Sequence, residues 1–453
     1  MSKLNTIHKI YFIGIGGIGM SAIARYFKSR NADVQGYDKT PTALTRELEA
    51  GGIPVHYEER VDLIPKDADA VVYTPAIPAA HAELVYYREN NYTVVKRSDV
   101  LQWITEGSFN ICVAGTHGKT TVTTMIAHLL RDSGYGCNAF LGGISANYAT
   151  NFWSNEKNVV VVEADEYDRS FLKLLPDVAV ITSMDPDHLD IYGTAEEVGN
   201  AFIQFSQKLK QGGCLVTKYG MDREKELAAG HHFSYHLNNE QADVYATNLK
   251  VDNGSYLFDV VHADWTIKNM ALHMGGLHNI ENCIAAVTVA KYLSIDEEKI
   301  KSAMASFTGV RRRFEYALKT TEHVLIDDYA HHPEELKALI SGVKSIFNTE
   351  KLVLVFQPHL FSRTKDLADD FAKSLDMADE VILLPIYPAR ELPMEGVNSE
   401  LLLKKMTIEK KQVLNKAGMQ SWMADHKPGL VVMAGAGDID TLVQPVKNIL
   451  EAD

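Results

Sequence analysis

Short runs of apolar, mostly β-branched residues alternate with longer helical patterns along the whole chain. Residues 8–13 are predicted to form a strand, residues 18–29 a helix and residues 34–37 the next strand. This alternation is typical of α/β proteins, in which helices connect parallel strands. The same pattern predicts a second long helix at 119–132, and further strands at 70–73, 93–95, 110–114, 159–163, 178–182, 323–327, 351–356, 380–384 and 429–433.

The length of the chain predicts more than one domain. Its 453 residues are too many for a single hydrophobic core. At roughly 150 residues per domain, about three domains are expected. Turn signals near residues 106–108 and 309–313 indicate where successive α/β units are joined.

The charge balance narrows the class of protein. Asp and Glu number 59 against 45 Lys and Arg, which gives a net charge of −14. A basic surface is needed to follow a nucleic-acid backbone, so nucleic-acid binding is disfavoured.

No apolar run reaches the roughly 18 residues that span a bilayer, and the start lacks a secretory pattern. The four cysteines form no C-x-x-C pair, which is typical of reduced thiols. We therefore expect a soluble, cytoplasmic protein.

A glycine-rich motif follows the first predicted strand and opens the first helix. It consists of Gly14, Ile15, Gly16, Gly17, Ile18 and Gly19. This G-x-G-x-x-G spacing lets the backbone approach a diphosphate, and Asp38 follows the next strand at the place of a ribose-binding acid. Read alone, the motif is also compatible with a nicotinamide-dependent oxidoreductase, or with a tight turn that binds nothing.

A second phosphate-loop motif lies between the strand at 110–114 and the helix at 119–132. It consists of Gly115, Thr116, His117, Gly118, Lys119, Thr120 and Thr121. The loop is shorter than a strict Walker A motif, because Val113 stands at the first glycine position. Its backbone N–H groups are nevertheless suited to cradle phosphates, with Lys119 reaching the β- and γ-phosphates and Thr120 binding Mg²⁺. The alternative is a chance G-K-T-T at a strand–helix junction.

Two acidic segments follow this loop. Glu163 ends an apolar strand about forty residues downstream and is the candidate metal ligand, whereas the alternative is a solvated acidic loop. His188 lies in the segment D-P-D-H-L-D and is a candidate second metal ligand. On spacing alone, a single histidine is more often an ordinary core or surface residue.

The last motifs lie downstream of residue 276. Asn279 and Asn282 open a helix, and their side chains suit either an adenine edge or a helix cap. Residues 311–313 are three consecutive arginines, which form either a phosphate clamp or a solvated face. The segments D-D-Y-A-H-H-P at 327–333 and Q-P-H at 357–359 each follow a strand, where open α/β sheets bind ligands. Their histidines lack convincing zinc-ligand spacing.

The order of these motifs resembles that of the Mur ligase family over essentially the whole chain. The matching segments are G-x-G-G-x-G-M, G-T-H-G-K-T-T, E-A-D-E, D-H-L-D, H-N-I-x-N, R-R-R-F-E and D-D-Y-A-H-H-P. The resemblance implies an α/β fold of three domains. These are a Rossmann-like UDP-sugar domain at 1–107, a central ATPase-type domain with a parallel or mixed sheet at 108–312, and a Rossmann-like amino-acid domain at 313–453.

The resemblance also implies a role for each matching residue. The UDP diphosphate would bind at Gly14, Gly16 and Gly19, near Asp38, Thr74, Pro75, Ala76 and Ile77. ATP would bind at the loop 115–121 and at Asn279, Asn282, Arg313 and Asp328, with Mg²⁺ or Mn²⁺ on Thr120, Glu163 and His188. The amino acid would contact Tyr329, His331, His359 and Arg363. Leu360 departs from the family pattern, where a second arginine is common, so the carboxylate clamp would depend mainly on Arg363.

The activity implied by the resemblance is ATP-dependent ligation of L-alanine to the lactyl carboxylate of UDP-N-acetylmuramate, through an acyl phosphate, in peptidoglycan synthesis. Lys119, Glu163 and His188 would serve the phosphoryl transfer, and His331 or His359 would assist deprotonation of the amine. A monomer or weak homodimer is expected. One alternative is a recycling ligase that adds a tripeptide to the same sugar. A catalytically inactive scaffold is disfavoured, because Lys119, Thr120, Glu163 and His188 are all present.

Overall fold

The computed structural model describes residues 3–167, 169–186, 189–227, 230–252, 254–389 and 391–452. The chain forms two compact units. The first comprises the chain up to residue 247 together with residues 259–270 and 281–307, and the second comprises residues 248–258, 271–280 and 308 onward. No helix in the described ranges is long and apolar enough to cross a membrane.

The first unit begins with a small parallel sheet. Its strands are β1 (Lys9–Ile13), β2 (Asp33–Tyr37), β3 (Val55–His56), β4 (Ala70–Tyr73) and β5 (Val94–Lys96), and its helices are α1 (Ile18–Ser29), α2 (Ala43–Ala50), α3 (Ala82–Glu89) and α4 (Arg97–Glu106). Over the described residues the order is β3-β2-β1-β4-β5, with parallel pairs throughout. The strand order therefore reverses beside β1, and this is the point where open α/β sheets bind ligands.

The second sheet is larger and mixed. Its strands are β6 (Phe109–Ala114), β7 (Asn138–Ser145), β8 (Thr150–Trp153), β9 (Val159–Glu163), β10 (Val178–Ile181), β11 (Cys214–Lys218), β12 (His231–His236), β13 (Val244–Asp252), β14 (Ser255–His262) and β15 (Trp265–Leu272). The helices of this region are α5 (Lys119–Asp132), α6 (Leu189–Tyr192), α7 (Ala195–Ser206), α8 (Leu277–Tyr292) and α9 (Glu297–Ser306). As far as the chain is described, the order is β15-β14-β13-β12-β11-β10-β6-β9-β7-β8.

Strand β6 has parallel neighbours on both sides, β10 and β9. It is buried along almost its whole length, as a central strand with a near-continuous apolar sequence should be. Its carboxyl end leads directly into the phosphate-loop segment, so this second glycine-rich loop also follows a central strand at a reversal of strand order.

The first two sheets share one hydrophobic core within the first unit. Tyr26 of α1 packs against Phe140 of β7 and Phe152 of β8, with ring centroids 5.4 and 6.1 Å away. Beside this aromatic cluster, the Arg25 guanidinium donates to the Thr150 hydroxyl and, from its other terminal nitrogen, pairs with Glu47 at 3.0 Å. The glycine-rich turn after β1 and the phosphate loop after β6 are therefore mounted on one packed body.

The third sheet lies in the second unit. Its strands are β16 (Glu315–Lys319), β17 (Val324–Asp328), β18 (Leu352–Phe356), β19 (Glu380–Leu383), β20 (Lys411–Val413) and β21 (Leu430–Ala434). Its helices are α10 (Pro333–Ile346), α11 (Phe361–Asp366), α12 (Ala368–Leu375), α13 (Ser399–Lys405), α14 (Lys416–His426) and α15 (Val443–Glu451). The described strands run in the order β16-β17-β21-β18-β19-β20, and only β16 is antiparallel to its neighbour.

The predicted α/β class is confirmed. Each strand predicted from the sequence is present and begins and ends within one residue of the prediction. The predicted helices at 18–29 and 119–132 have the same bounds in the structure. Cys112 and Cys283 are fully buried free thiols.

A buried carboxyl group, that of Glu83, lies between helix α3 and strand β1 of the first sheet. Glu83 of α3 is 0% exposed, and it accepts hydrogen bonds from the Tyr11 hydroxyl at 2.7 Å and from the Arg60 backbone N–H at 3.1 Å. Burial raises the pKa of Glu83 from 4.5 to about 7, against the lowering effect of those two hydrogen bonds. The neutral form of this carboxyl is therefore favoured in the folded protein.

Glu83→Gln is expected to change how stability depends on pH. Between pH 4.5 and about 7 the unfolded chain has lost the Glu83 proton and the fold still holds it, because burial raises its pKa. The free energy of unfolding of the wild type therefore falls as the pH rises through this window. The glutamine variant lacks this decline and should gain on the order of 2 kcal/mol relative to wild type between about pH 5 and pH 7.5. Urea unfolding of both proteins at several pH values measures this difference in the free energy of unfolding.

The matched control for this prediction is Glu89→Gln, which changes an exposed glutamate at the end of the same helix, α3. Because this side chain is exposed, the substitution should change the free energy of unfolding by less than about 0.5 kcal/mol. Parallel stability curves for the wild type and Glu83→Gln would show that the buried carboxyl is not the source of the pH dependence.

Candidate active site

The glycine-rich turn after β1 is held by backbone and side-chain hydrogen bonds. The N–H groups of Gly14 and Ile15 both donate to the Tyr37 carbonyl, at 2.8 and 2.9 Å. Gly14 has a φ of +88°, a left-handed conformation that favours glycine. The Gly16 N–H donates to Asp38 Oδ2 at 2.8 Å, so the predicted ribose-binding acid holds the glycine-rich turn in place.

The structure brings the predicted 74–77 segment against this turn. A Cβ atom at Gly14 would lie 3.0 Å from Thr74 Cγ2 and 3.3 Å from Ile77 Cδ1. Gly16 is similarly confined, because a Cβ atom there would lie 2.8 Å from Asp38 Oδ2. Thr74, Ile77 and Asp38 therefore lie directly against the glycine-rich turn, and a side chain at Gly14 or Gly16 would crowd them.

The phosphate loop is tied to the end of β10. The Thr116 hydroxyl shares a 2.9 Å hydrogen bond with the Ser183 hydroxyl, which also accepts from the His117 N–H at 2.8 Å. The Thr182 hydroxyl donates to the carbonyl of His117. Gly118 takes φ +79° and caps helix α5, which begins at Lys119. The loop is thus fixed in a shape that directs the first N–H groups of α5 outward, as anion binding requires.

The positive charge of Lys119 is balanced by a buried carboxylate. Its ammonium donates to the Gly115 carbonyl at 2.5 Å and pairs with Glu166 Oε1 at 2.7 Å. The Glu166 side chain is 2% exposed. Burial raises the pKa of Glu166, and the neighbouring ammonium of Lys119 opposes that rise. Because the pair is nearly dry, its attraction is much stronger than that of a surface ion pair.

The asparagines predicted near adenine fall in different units. Asn282, in the first unit, lies against the phosphate loop, since a Cβ atom at Gly118 would be 2.9 Å from its Oδ1. Asn279, in the second unit, donates from its side chain to the Gly275 carbonyl at 2.6 Å.

The candidate metal ligands are only partly described. Glu163 ends β9 and pairs in register with Val113 of β6, next to the start of the phosphate loop. A Cβ atom at Gly142 would lie 2.1 Å from Glu163 Oε2, so this glycine leaves the space that the carboxylate fills. His188 lies outside the described residues. Within the described part of the chain, no group of three or more His, Cys, Asp or Glu side chains is placed to hold a metal ion.

Gly115→Ala is expected to disrupt the phosphate loop. Gly115 has φ +135°, and its added Cβ atom would lie 2.1 Å from Thr182 Oγ1 and 2.8 Å from the Ser183 backbone N. Relief of this overlap has to move the backbone that shapes the loop, at a cost of about 2 kcal/mol or more. We expect a lower melting temperature and at least about a tenfold weaker affinity for ATP, measured by thermal unfolding and by equilibrium titration.

Gly107→Ala is the matched control, because Gly107 has φ −97° and open space where the Cβ atom would lie. This variant should unfold and bind ATP as the wild type does. Wild-type ATP affinity in Gly115→Ala would show that the loop does not need its left-handed glycine.

In the second unit, Asp328 at the end of β17 organises the turn that follows. Its carboxylate accepts from the Phe314 N–H at 2.7 Å and from the Ala330 N–H at 2.7 Å. Burial raises the pKa of Asp328, and these two hydrogen bonds and Arg313 oppose the rise. The guanidinium of Arg313 lies 5.6 Å from the centre of the Tyr329 ring. Three of the predicted residues, Arg313, Asp328 and Tyr329, are therefore neighbours.

Two histidines and an arginine meet at the ends of β17 and β18. The rings of His331 and His359 are 5.9 Å apart, and His359 stacks on Tyr387 at 5.9 Å. Burial, together with the neighbouring His331 and Arg363, lowers the pKa of His359 to about 4. Burial also lowers the pKa of His331. Both imidazoles are therefore neutral at pH 7.

Two buried nitrogen atoms of this cluster have no hydrogen-bond partner among the described residues. They are His359 Nδ1 and Arg363 Nη1. Buried polar groups in folded proteins are nearly always paired, so two unpaired polar atoms at one place indicate a ligand that completes them. A carboxylate suits the arginine, because guanidinium and carboxylate form charge-assisted hydrogen bonds.

Comparison with known proteins covers nearly the whole chain. Three family models match: the Mur ligase family catalytic domain at residues 9–108, the Mur ligase middle domain at 113–290, and the Mur ligase glutamate ligase domain at 312–437. A UDP-N-acetylmuramate–L-alanine ligase from Parabacteroides distasonis is 48% identical, over 99% of this chain and 98% of that protein. The chain belongs to the Mur ligase family.

Other members of the Mur ligase family agree in sequence and in fold. A UDP-N-acetylmuramate–L-alanine ligase from Cytophaga hutchinsonii is 46% identical, over 99% of this chain and 98% of its own length. The crystal structure of a UDP-N-acetylmuramate–alanine ligase from Thermotoga maritima superposes with a TM-score of 0.81 at 28% identity, covering 98% of both chains. The chain is therefore an ATP-dependent ligase, and its middle domain binds ATP.

Several residues of this Mur ligase site had no predicted role. Glu166 pairs with Lys119, Ser183 anchors the phosphate loop, and Tyr387 stacks on His359. Glu166 belongs to the E-A-D-E motif, so the motif itself indicated its importance. Ser183 and Tyr387 show no such signal, because their roles depend on which strands become neighbours in the fold.

Proposed function

We propose that this Mur ligase joins L-alanine to the lactyl carboxylate of UDP-N-acetylmuramate, with ATP as the energy source, in peptidoglycan synthesis. The observation that supports it best is the 46–48% identity to ligases of that name over 99% of the chain. The three matched family models span both glycine-rich loops and the cluster of His331, His359 and Arg363. A single shared loop would support only nucleotide binding.

The first step is phosphoryl transfer. An oxygen of the lactyl carboxylate attacks the γ-phosphorus of ATP, a carboxylate–phosphorus bond forms, and ADP leaves. Negative charge accumulates on the phosphoryl oxygens during this step. Lys119 and the N–H groups at the start of α5 stabilise that charge, because they lie preorganised at the phosphate loop.

The second step joins the amine to the activated acyl group. The free amine of L-alanine attacks the acyl carbon, and inorganic phosphate leaves from the tetrahedral intermediate. Arg363 is the candidate partner of the alanine carboxylate, beside Tyr329. His331 or His359 is the candidate base for the ammonium proton, because each imidazole is neutral near pH 7 and can accept a proton. A pKa of about 4 makes His359 a weak base. An unchanged pH–rate profile of kcat in His331→Ala and in His359→Ala would exclude this role.

A divalent cation fits the donor set at the phosphate loop. The Thr120 hydroxyl and the Glu163 carboxylate are oxygen donors of the kind that Mg²⁺ and Mn²⁺ prefer. Thr120, Glu163 and His188 would hold the ion, His188 being assigned from the family motif. When bound, the ion neutralises charge on the transferred phosphoryl group.

Other assignments depend on the family motifs alone. The nucleotide-binding set includes Asn279, Asn282, Arg313 and Asp328. The UDP-sugar set comprises Gly14, Ile15, Gly16, Gly17, Ile18, Gly19, Asp38, Thr74, Pro75, Ala76 and Ile77. We assign the UDP-sugar, ATP and amino-acid domains to residues 1–107, 108–312 and 313–453. We further propose that the enzyme is cytoplasmic and is a monomer or a weak homodimer.

Phosphate release with defined substrates tests the proposal. The protein is supplied with ATP, Mg²⁺ and UDP-N-acetylmuramate, and then with L-alanine, L-serine, glycine or the tripeptide L-alanyl-γ-D-glutamyl-diaminopimelate. Release with L-alanine well above that with the tripeptide supports the proposal. Preference for the tripeptide would make the chain a recycling ligase, and NAD binding without any ATP-dependent phosphate release would make it an oxidoreductase.

A further inference from the structure

The guanidinium of Arg97 lies directly against the glycine-rich turn. Arg97 is the first residue of α4, and Gly19 is the second residue of α1. A Cβ atom at Gly19 would lie 2.2 Å from Arg97 Nη1 and 3.2 Å from its Cζ. Gly19, the last glycine of the motif, therefore leaves the space in which an arginine reaches the first turn of α1.

The other end of the same guanidinium reaches the E-A-D-E segment. Arg97 Nη2 donates to Asp165 Oδ2 at 3.2 Å, and Asp165 Oδ1 accepts from the Tyr167 N–H at 3.1 Å. Glu166, the next residue, pairs with Lys119 of the phosphate loop. A short chain of charged side chains thus links the two phosphate-binding loops within the first unit.

The chemistry of this position suits a phosphate. Backbone N–H groups in the first turn of a helix favour an anion, and a guanidinium beside them adds charge-assisted hydrogen bonds. The Arg97 side chain is 26% exposed, so the group is accessible and also partly desolvated. Arg97 Nη2 donates to the Asp165 carboxylate, whereas Arg97 Nη1 is the guanidinium nitrogen that lies beside Gly19.

We propose that Arg97 binds the diphosphate of the UDP-sugar through Nη1 while Nη2 holds Asp165, and so fixes the donor sugar relative to the ATP loop. The identity of the nucleotide sugar rests on the proposed function, whereas the diphosphate chemistry follows from the guanidinium at Gly19. In this arrangement Arg97 is a substrate-binding residue, and Asp165 is a positioning residue that acts through Arg97.

Equilibrium binding of UDP and of uridine tests the phosphate contact. Loss of one charged hydrogen-bond donor weakens binding by about tenfold to a hundredfold. Arg97→Ala should raise the Kd of UDP by that factor and leave the Kd of uridine within about twofold, because uridine has no phosphate. Arg97→Lys should recover part of the loss, since it keeps the charge but not the forked geometry.

Arg25→Ala is the matched control. Arg25 also joins the first two sheets, but it contacts Thr150 and Glu47 two turns along α1 from the glycine-rich turn. Its Kd for UDP should stay within about threefold of wild type. Equal UDP affinity in Arg97→Ala and wild type, or parallel loss of UDP and uridine, would overturn the assignment. A wild-type protein that binds no UDP would instead refute the proposed function.

Steady-state kinetics test the link to the ATP loop. Arg97→Ala should raise the KM for UDP-N-acetylmuramate and leave the KM for ATP within about threefold. Asp165→Asn should keep UDP binding within about threefold and lower kcat by at least about tenfold, because the sugar is bound but less well positioned. An unchanged kcat in Asp165→Asn would remove Asp165 from the proposal.

Discussion

Lys119→Ala is expected to lower the kcat of phosphate release by about a thousandfold or more. The ammonium lies inside the phosphate loop, held by the Gly115 carbonyl and by Glu166, so it needs little reorganisation to meet the γ-phosphate. No other lysine lies in the loop sequence 115–121. Exchange of the ATP γ-phosphate in the presence of UDP-N-acetylmuramate measures the first chemical step directly.

The same substitution leaves Glu166 buried without its cation. Removing one partner of a buried ion pair costs about 3–5 kcal/mol, so Lys119→Ala should also melt earlier. The double variant Lys119→Ala/Glu166→Gln removes the stranded carboxyl and should recover most of the stability but none of the activity. This difference separates a chemical role of Lys119 from a structural one.

Lys210→Ala is the matched control for Lys119. Lys210 forms a similar pair with Asp177, at 2.7 Å, but Asp177 lies just before β10, at the opposite end of the sheet from the phosphate loop. Lys210→Ala should lower the free energy of unfolding modestly and leave kcat within about twofold of the wild-type value. Normal phosphate exchange by Lys119→Ala would contradict the proposed first step.

Arg363→Ala is expected to raise the KM for L-alanine by about a hundredfold. Arg363 Nη1 is buried and has no partner among the described residues, beside the equally unpaired His359 Nδ1. A carboxylate that binds there gains a charge-assisted hydrogen bond in a largely dry site, where such bonds are strong. Leu360, the residue after His359, carries no charge that could replace the guanidinium, so little compensation is expected. The KM for ATP should stay within about threefold.

Lys365→Ala tests whether any positive charge on the same helix matters. Lys365 lies two residues further along α11 and is exposed. It should leave the KM for L-alanine within about twofold of the wild-type value. A similar KM in Arg363→Ala and wild type would show that the amino-acid carboxylate binds elsewhere.

The strands were predictable because their signal is local. β6, β9, β10, β17 and β18 are strands of four to six mostly apolar residues that become buried beside parallel neighbours. Both glycine-rich loops were recognisable for the same reason, since a turn between a strand and a helix is defined by adjacent residues. Predictions of this kind need no knowledge of distant neighbours.

The strands from β11 to β15 were not predicted. In β14 buried and half-exposed residues alternate along S-Y-L-F-D-V-V-H, and polar residues interrupt the apolar pattern. The ion pairs of the site could not be predicted from the sequence either, because Lys119 and Glu166 are 47 residues apart and Arg97 and Asp165 are 68 residues apart. The Lys119–Glu166 pair forms only when β6 and β9 become neighbours, and the Arg97–Asp165 pair forms only when α4 lies beside the segment after β9. A linear motif does not encode either adjacency.

The aromatic cluster of Tyr26, Phe140 and Phe152 has a consequence for ligand screening. Because one core joins the first two sheets, they should melt in a single cooperative transition. A compound that binds either glycine-rich loop raises the stability of the whole body by mass action. A thermal-shift hit therefore does not reveal which loop is occupied, and competition with UDP and with ATP is needed to distinguish the two classes of inhibitor.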